Sequence, residues 1–241
     1  MLKAEGVTKR FGGLVAVDDA HFSIDHGEIV GLIGPNGAGK TTLFNSIAGV
    51  YEPEEGDIWF NDELIAGDKA HNIARRGITR TFQTARTFNE LTVIENVLGG
   101  AVFGKENPSS LDEERENAME YLEFIGLADK AEDLASSLTI ADRKQCELAR
   151  AMAGEPELIL VDEIGSGLTP AEIEELSNNL ERARQEYNIS IFWIEHVMDA
   201  IMNATDRIIV LNQGSIIAKG TPEEIQQNEQ VAEAYLGGQA E

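Results

Sequence analysis

The segment that most restricts the fold of this chain is a glycine-rich loop between an apolar run and a helical pattern. Glu28 to Ile33 form a nearly continuous apolar run, which is typical of a buried strand. Residues 40–49, KTTLFNSIAG, place Leu43 and Ile47 on one helical face. The loop between them reads GPNGAGKT and matches the pattern G-x-x-x-x-G-K-[ST]. Strand, loop and helix in this order predict a layered α/β fold.

The chemistry of this loop suits a chain of phosphates. Glycines let successive backbone N–H groups point inward, and the N-terminus of the following helix adds positive dipole. Lys40 is expected to reach the terminal phosphates, and the Thr41 hydroxyl is expected to ligate Mg²⁺. The other residues of the predicted nucleotide-binding loop are Gly34, Pro35, Asn36, Gly37, Ala38, Gly39 and Thr42. The alternative is a glycine turn with a solvated lysine.

Two acidic residues follow a second apolar run. Leu158 to Val161 are followed by Asp162 and Glu163. Because parallel strands end at the ligand crevice, Asp162 is expected to hold Mg²⁺ through water, and Glu163 to polarise a water for attack on a γ-phosphate. The alternative is a pair of acids solvated at the end of a strand.

The remaining pattern alternates between strands and helices around a helical section at 90–154. An amphipathic helix is predicted over Pro170 to Tyr187, with apolar residues at steps of three and four. A short helix leading into a strand is predicted over Ile73 to Arg80, and a helical tail closes the chain. The other predicted strands are Leu14–Val17, His21–Ile24, Gly56–Phe60, Ile189–Ile194, Arg207–Leu211 and Ser215–Lys219.

Charge and cysteine content exclude several classes of function. The chain has 19 basic and 43 acidic residues and a formal net charge of −24, so repulsion from phosphates disfavours a nucleic-acid partner. The acidity reflects either solubility or adaptation to a salt-rich cytoplasm. The single cysteine, Cys146, favours a reducing compartment and excludes a multi-cysteine metal site. No signal-peptide pattern and no run of about 18 apolar residues is found, so a cytoplasmic location is expected.

Together these motifs resemble the ATP-binding subunits of ABC transporters over essentially the whole chain. Gln83, in TRTFQTARTF, matches the family's Q-loop, and His196, in FWIEHVMD, matches its switch histidine. Phe11, in KRFGG, stands where the family stacks an aromatic ring on adenine, and residues 166–169 stand at its D-loop. Each residue also has a structural alternative when it is taken singly. Gln83 would be a polar loop residue, His196 a hydrogen-bonded histidine at the start of a helix, and Phe11 a core or edge aromatic residue.

The family signature, usually Leu-Ser-Gly-Gly-Gln, is only partly present in the matching segment LTIAD. In the family this segment starts a helix that caps the γ-phosphate bound by the opposing subunit. Thr139 keeps the hydroxyl, and Ala141 keeps the N–H group but adds a methyl where glycine is usual. Asp142 brings a carboxylate close to the phosphate, which predicts a weakened site.

The resemblance implies a P-loop NTPase fold of the ABC ATPase type. Its core sheet would carry an antiparallel β subdomain and an inserted helical subdomain. One domain is expected over 1–241, with the α/β core at about 1–89 and 155–241 and the helical subdomain at about 90–154. The cofactors implied are ATP and Mg²⁺. The catalytic residues implied are Glu163, His196, Gln83 and Lys40, nucleotide contacts include Phe11, Thr139 and Ala141, and Mg²⁺ ligands are Thr41, Gln83 and Asp162.

The resemblance also implies partners. Two ATP-binding subunits would meet head to tail, the second being another copy or a different chain, and would drive two membrane permease subunits supplied by an extracytoplasmic binding protein. The protein would then lie on the inner face of the membrane. Apolar residues near the Q-loop form either the permease-docking groove or simple core packing: Phe82, Phe88, Leu91, Val102 and Phe103.

Within the family, three segments look most like subunits of branched-chain amino-acid importers: FGGLVAVDD, GITRTFQTARTF and ELTVIENVLGG. Related importers for urea, short amides or other amino acids share these features. The predicted function is therefore ATP hydrolysis that energises import of branched-chain or related amino acids. The alternatives are a soluble ABC ATPase without a transport role and a nucleotide-dependent regulator.

Overall fold

The computed structural model describes residues 1–237 and divides them into two units, 1–70 with 190–237, and 71–189. The strands are β1 (Leu2–Phe11), β2 (Leu14–Ile24), β3 (Ile29–Ile33), β4 (Glu55–Phe60), β5 (Glu63–Leu64), β6 (Ile78–Arg80), β7 (Leu158–Asp162), β8 (Ser190–Ile194), β9 (Arg207–Asn212) and β10 (Ser215–Gly220). The helices are α1 (Lys40–Ile47), α2 (Ala70–Arg75), α3 (Val93–Gly104), α4 (Leu111–Phe124), α5 (Ile140–Ala153), α6 (Pro170–Tyr187), α7 (Met198–Ala204), α8 (Pro222–Gln226) and α9 (Glu229–Gly237). The predicted core range 155–241 includes residues 238–241, which lie outside the described residues.

The first unit contains two groups of paired strands. One is antiparallel in the order β2-β1-β4-β5, and the other pairs β10, β9, β3 and β8 in that order. Strand β3 runs parallel to both β8 and β9, and every residue of β3 and β8 is buried. Their apolar sequences suit strands that are covered on both faces. Phe192 of β8 contacts the rings of Phe22 and Phe44 in this core.

The N-terminal strands differ from the sequence-based prediction. The chain begins with a strand, β1, that was not predicted, and the two predicted strands Leu14–Val17 and His21–Ile24 form a single strand, β2. The pairing of β1 with β2 has irregular registers, and Asp19 of β2 has a φ of 48°. Because such bulges shift the alternation of buried and exposed residues, the period of two that identifies a strand is interrupted.

The second unit combines a parallel strand pair with helices. Strands β6 and β7 are parallel, and α3, α4 and α5 pack against one another. Helix α6 buries Ile173, Leu176, Leu180 and Ala183, as the predicted amphipathic pattern requires. In the part of the chain that the structure describes, every helix is too short or too polar to cross a membrane. The elements of both units confirm the α/β class with its antiparallel strands and its helical section.

Candidate functional site

The glycine-rich loop connects buried strand β3 to helix α1, as the sequence predicts. Two of its glycines are required by close backbone contacts. A Cβ atom at Gly34 would lie 2.0 Å from the carbonyl oxygen of Leu211, and one at Gly39 would lie 2.1 Å from that of Ala16. Gly39 also has a φ of 104°, a conformation that side chains other than glycine rarely adopt. The tight curl of the loop therefore depends on glycine at these positions.

The N-terminus of α1 carries positive charge and has no acidic residue in its first turn. Gly39 is its N-cap without a side-chain cap, and the first turn contains no acidic residue. The Lys40 side chain is 5% exposed, and its Nζ donates hydrogen bonds to the carbonyl oxygens of Gly34 (2.8 Å) and Pro35 (3.2 Å). Thr41 is exposed and Thr42 half-buried. An ammonium group and a helix N-terminus at one loop are suited to bind an anion.

His196 follows the strand next to the one that carries the loop. Leu32 of β3 pairs with Ile194 of β8, and the two strands are parallel. His196 and Gly34 therefore lie beyond the same edge of these strands, where ligands bind in open α/β sheets. The His196 backbone N–H donates to the buried carboxylate of Glu195 (2.8 Å). Sequence analysis missed Glu195, although an acid directly after a buried and mainly apolar strand was the available signal.

Two aromatic residues of the first unit, Phe11 and Tyr235, are only partly buried. Phe11 is 43% exposed at the end of β1, contacts the Tyr51 ring edge-on at 5.2 Å, and has the Lys9 ammonium 5.4 Å from its ring. A core role for Phe11 is therefore wrong. Burial raises the pKa of Tyr235, while a hydrogen bond with the Gly34 backbone acts to lower it. Sequence analysis missed Tyr235, because its partner is about two hundred residues away in the chain.

In the second unit, Asp162 ends strand β7 and is held by an arginine. Its carboxylate is almost completely buried and accepts a hydrogen bond from Arg80 Nη2 at 2.5 Å. The Asp162 backbone N–H lies 3.4 Å from the Thr81 hydroxyl oxygen. Arg80 comes from the neighbouring strand β6 and compensates the buried charge. Sequence analysis did not select Arg80, because only tertiary pairing shows its partner.

Glu163 and Gln83 are brought together by the fold. Gln83 Nε2 donates a hydrogen bond to Glu163 Oε2 at 2.6 Å, across 80 residues of sequence. Glu163 has a φ of 47°, which is unusual for a residue with a side chain and is a kind of strain that concentrates at functional sites. The acid and the Q-loop amide that the resemblance singled out therefore form one cluster.

The signature-like segment begins helix α5 with a capping box. Thr139 is the N-cap; its hydroxyl accepts the Asp142 N–H (3.1 Å), and the Asp142 carboxylate accepts the Thr139 N–H (3.4 Å). That carboxylate also pairs with Lys130 Nζ at 2.8 Å. Burial acts to raise the pKa of Asp142, but the hydrogen bonds from Lys130 and Thr139 hold it below its usual value. The sequence predicts an uncompensated carboxylate at Asp142, but the structure shows it paired with Lys130. Ala141, which lies between Thr139 and Asp142 in the sequence, is half-buried.

The apolar residues near the Q-loop are partly exposed. Phe88 is 58%, Leu91 39% and Phe103 75% exposed, so core packing does not account for these three side chains. Phe82 and Val102 are half-buried, and the guanidinium of Arg86 lies 4.3 Å from the centre of the Phe82 ring. The Leu91 backbone N–H donates to the Phe88 carbonyl oxygen (3.0 Å), so these two residues are neighbours, and exposed large apolar side chains are typical of an interaction surface.

Comparisons with known proteins agree with these motifs. A family model described as ABC transporter matches residues 17–166, and one described as branched-chain amino acid ATP-binding cassette transporter matches residues 215–241. The chain is 43% identical over 249 residues to the high-affinity branched-chain amino acid transport ATP-binding protein LivG of Escherichia coli (strain K12), covering 98% of each chain. It is 40% identical to the corresponding protein BraF of Pseudomonas aeruginosa, again covering 98% of each.

A solved structure shows the same fold. The crystal structure of a nucleotide-free ATP-binding cassette from an ABC transporter superposes with a TM-score of 0.89 at 30% identity, covering 98% of each chain. Likeness in sequence and in structure therefore extends over nearly the full length.

Proposed function

The chain belongs to the ABC transporter family of ATP-binding proteins, and on that premise we propose that it powers an importer of branched-chain or related amino acids. The observation that carries the proposal is the near-complete alignment with LivG and BraF, whose names state branched-chain amino acid transport. The second family match, at residues 215–241, supports the same substrate class. The subunit binds ATP and hydrolyses it to drive transport.

ATP binding is assigned to the glycine-rich loop. We propose that the loop amides and the N-terminus of α1 bind the phosphates, that Lys40 leaves its loop carbonyls for the terminal phosphates, and that Phe11 stacks on adenine. The buried position of Lys40 on its own loop supports this role, because the ammonium is already fixed beside the amides. His196 would contact the γ-phosphate, and Thr139 with Ala141 would contact the nucleotide of the opposing subunit.

Hydrolysis is assigned to the pair of Glu163 and Gln83. The Glu163 carboxylate would accept the proton of the attacking water, and one of its oxygens is already fixed by Gln83. Gln83 is thus an orienting residue for the base, in addition to its proposed contact with the metal.

The ligand types fit Mg²⁺. Thr41, Gln83 and Asp162 offer hydroxyl, amide and carboxylate oxygens, and Mg²⁺ prefers oxygen ligands. We propose that these residues would hold the ion, which neutralises phosphate charge when bound. Arg80 pairs with the buried Asp162 carboxylate and compensates its charge.

The proposed assembly follows the family. Residues 1–241 would form one ATP-binding domain with 90–154 as its helical subdomain. It would pair with a second ATP-binding subunit and with two permeases on the inner face of the membrane. The permeases would receive amino acids from an extracytoplasmic binding protein. Exposed Phe88, Leu91 and Phe103 support a docking role for this surface.

The test of the proposed function is purification of the tagged protein from membranes in mild detergent, with measurement of ATP turnover. Two hydrophobic permeases and a second ATP-binding subunit should co-purify, and replacing Phe88 and Leu91 by serine should abolish this association while ATP binding is kept. A partnerless ATPase would instead favour the alternative without a transport role.

The test of the base is Glu163→Gln, which keeps the size of the side chain but cannot accept the proton. ATP should bind normally, while turnover should fall by about 100-fold or more. Glu175→Gln, an exposed position on α6, is the matched control and should turn over like the wild type. Wild-type turnover in Glu163→Gln would exclude Glu163 as the base.

A further inference from the structure

One buried face of helix α5 carries three charged side chains. Lys144 is 3% exposed, Glu147 is 1% exposed, and the Arg150 side chain is 16% exposed. Residues spaced by three lie along one side of a helix, so these groups form a row. Charges that are removed from water require partners, and the backbone of loops supplies partners for all three side chains.

The middle of the row holds the segment that follows the Q-loop glutamine. The Glu147 carboxylate accepts the backbone N–H groups of Phe82 (3.2 Å) and Arg86 (3.1 Å). These two amides lie on either side of Gln83 and are bound to a single carboxylate. Burial raises the pKa of Glu147, and the two backbone hydrogen bonds act to lower it. The carboxylate therefore fixes the backbone at Phe82 and Arg86, within residues 82–88, which are named here the Q-loop segment.

Arg150 also binds the Q-loop segment. Its Nη2 pairs with Glu147 at 3.1 Å, and its Nη1 donates to the carbonyl oxygen of Arg86 at 2.7 Å. The N–H and C=O groups of Arg86 are thus both held by α5. The Arg150 guanidinium also lies 5.7 Å from the ring centre of Phe88, which is exposed. A charged pair that contacts a backbone at three points constrains its position more strongly than surface contacts do.

The same helix holds a second loop. The Lys144 ammonium donates to the carbonyl oxygens of Ile164 (2.5 Å) and Ser166 (2.7 Å), in the loop that follows Glu163. The N-terminus of α5 is the signature-like segment that begins at Thr139. One helix therefore joins the signature-like segment, the loop after the proposed base and the Q-loop segment with its exposed Phe88.

We propose that Glu147 and Arg150 are positioning residues that fasten the Q-loop segment to α5, so that movement of the signature helix on ATP capture is transmitted to the permease-facing surface. This inference rests on the proposed function, in which that surface contacts a permease. Neither side chain is among the proposed nucleotide contacts. Their effect is on coupling, the ratio of ATP turnover with substrate-loaded binding protein to turnover without it.

The test is Glu147→Gln in the transporter complex purified with its permeases. Glutamine keeps the volume but has only one acceptor oxygen and no charge, so at least one of the two backbone amides loses its acceptor and the ion pair with Arg150 is lost. The coupling ratio should fall to near one, while the KM for ATP should stay within about twofold of the wild-type value. Hydrogen exchange of the peptide that contains residues 82–88 should become faster.

Glu114→Gln is the matched control, because Glu114 is also a fully buried carboxylate of this unit. It accepts the Ser109 N–H (2.8 Å) and pairs with Lys105 (2.6 Å), but it does not contact the Q-loop segment. This variant should keep the wild-type coupling ratio and the wild-type exchange of residues 82–88. Arg150→Lys keeps the charge but not the two-pronged contact, and should give an intermediate ratio.

The outcomes separate the inference from the proposed function. Wild-type coupling in both Glu147→Gln and Arg150→Lys would overturn the inference, and so would an equal loss in Glu114→Gln, since that result would indicate general instability. If Glu147→Gln fails to fold, the ratio in Arg150→Lys decides alone. Absence of any stimulation in the wild-type complex would overturn the proposed function, and with it the inference that depends on it.

Discussion

Helices α1 and α5 both begin at segments with a proposed phosphate contact, but they begin in opposite ways. The N-terminus of α1 follows a glycine, has no side-chain cap and has no acid in its first turn. The N-terminus of α5 is closed by its own capping box, in which Thr139 and Asp142 satisfy one another's N–H groups. Its acid is in turn paired with Lys130.

The difference separates two kinds of site. At α1 the positive end of the helix is left for a ligand, because the first N–H groups of a helix have no partner within the helix. At α5 the first N–H groups are partly satisfied by the capping box, and the Lys130 ammonium compensates the Asp142 carboxylate. The first site is built from backbone and has no room for a side chain at Gly34 or Gly39. The second depends on a balance of side-chain charges.

The largest expected effect comes from breaking the backbone-built site. In Gly39→Ala the new Cβ would meet the carbonyl oxygen of Ala16 in a left-handed conformation. Strain of about 3 kcal/mol corresponds to roughly 100-fold weaker ATP binding. Equilibrium titration with a fluorescent ATP analogue measures this change.

Gly99→Ala is the control for that substitution, since a Cβ at Gly99 meets no atom within 4 Å. This variant should bind ATP like the wild type. Binding within about threefold of the wild type in Gly39→Ala would show that the loop is not held as tightly as its contacts indicate.

A smaller effect is expected from changing the charge balance at α5. Lys130→Ala leaves the Asp142 carboxylate without its cation, and Asp142→Asn leaves the cation without the acid. A charge at a helix N-terminus contributes about 0.3–1 kcal/mol, which corresponds to roughly twofold to fivefold. The ATP concentration that gives half-maximal turnover of the transporter complex should therefore rise in Lys130→Ala and fall in Asp142→Asn.

The double variant serves as the control for this pair and should return close to the wild-type value. If both single variants shifted the half-maximal ATP concentration in the same direction, their effect would come from the stability of α5 and not from charge. The contrast between the two helix N-termini would then lose its electrostatic basis.

The smallest effect concerns stability at low pH. Because the pKa of Asp142 is lowered in the folded state, its stabilising effect is present above its unfolded pKa of about 3.9 and is lost as the pH falls through its folded pKa. The unfolding free energy of Asp142→Asn should therefore decrease less than that of the wild type between pH 5 and pH 3. The difference should be below about 1 kcal/mol, since Lys130 is partly exposed.

Urea unfolding at several pH values measures this difference. Glu116→Gln, an exposed position on α4, is the matched substitution and should follow the wild type. An equal change in the two variants would mean that the loss at low pH comes from overall charge and not from the ion pair.

Local sequence patterns predicted much of the fold and the position of the proposed phosphate-binding loop. The glycine-rich loop, the buried strands and the amphipathic helix α6 follow from residues close in sequence, and the structure confirms them. Strand β1 was missed because bulges interrupt its period of two. The cofactor contacts and catalytic roles of the individual residues stay predictions.

The contacts that orient the proposed site could not be predicted. Gln83 and Glu163 are 80 residues apart, Arg80 and Asp162 are 82 apart, and no local pattern connects them. Tyr235 was missed for the same reason. The expected weakening by Asp142 was based on sequence alone and did not include Lys130.

The sequence by itself determined where the backbone must curl and which strands are buried, because glycine tolerance and apolar periodicity are properties of neighbouring residues. Only the tertiary structure decided which charges meet. The Phe82 amide that reaches Glu147 and the Lys130 ammonium that reaches Asp142 come from outside helix α5, and the energy of a buried charge depends on the groups that surround it in space.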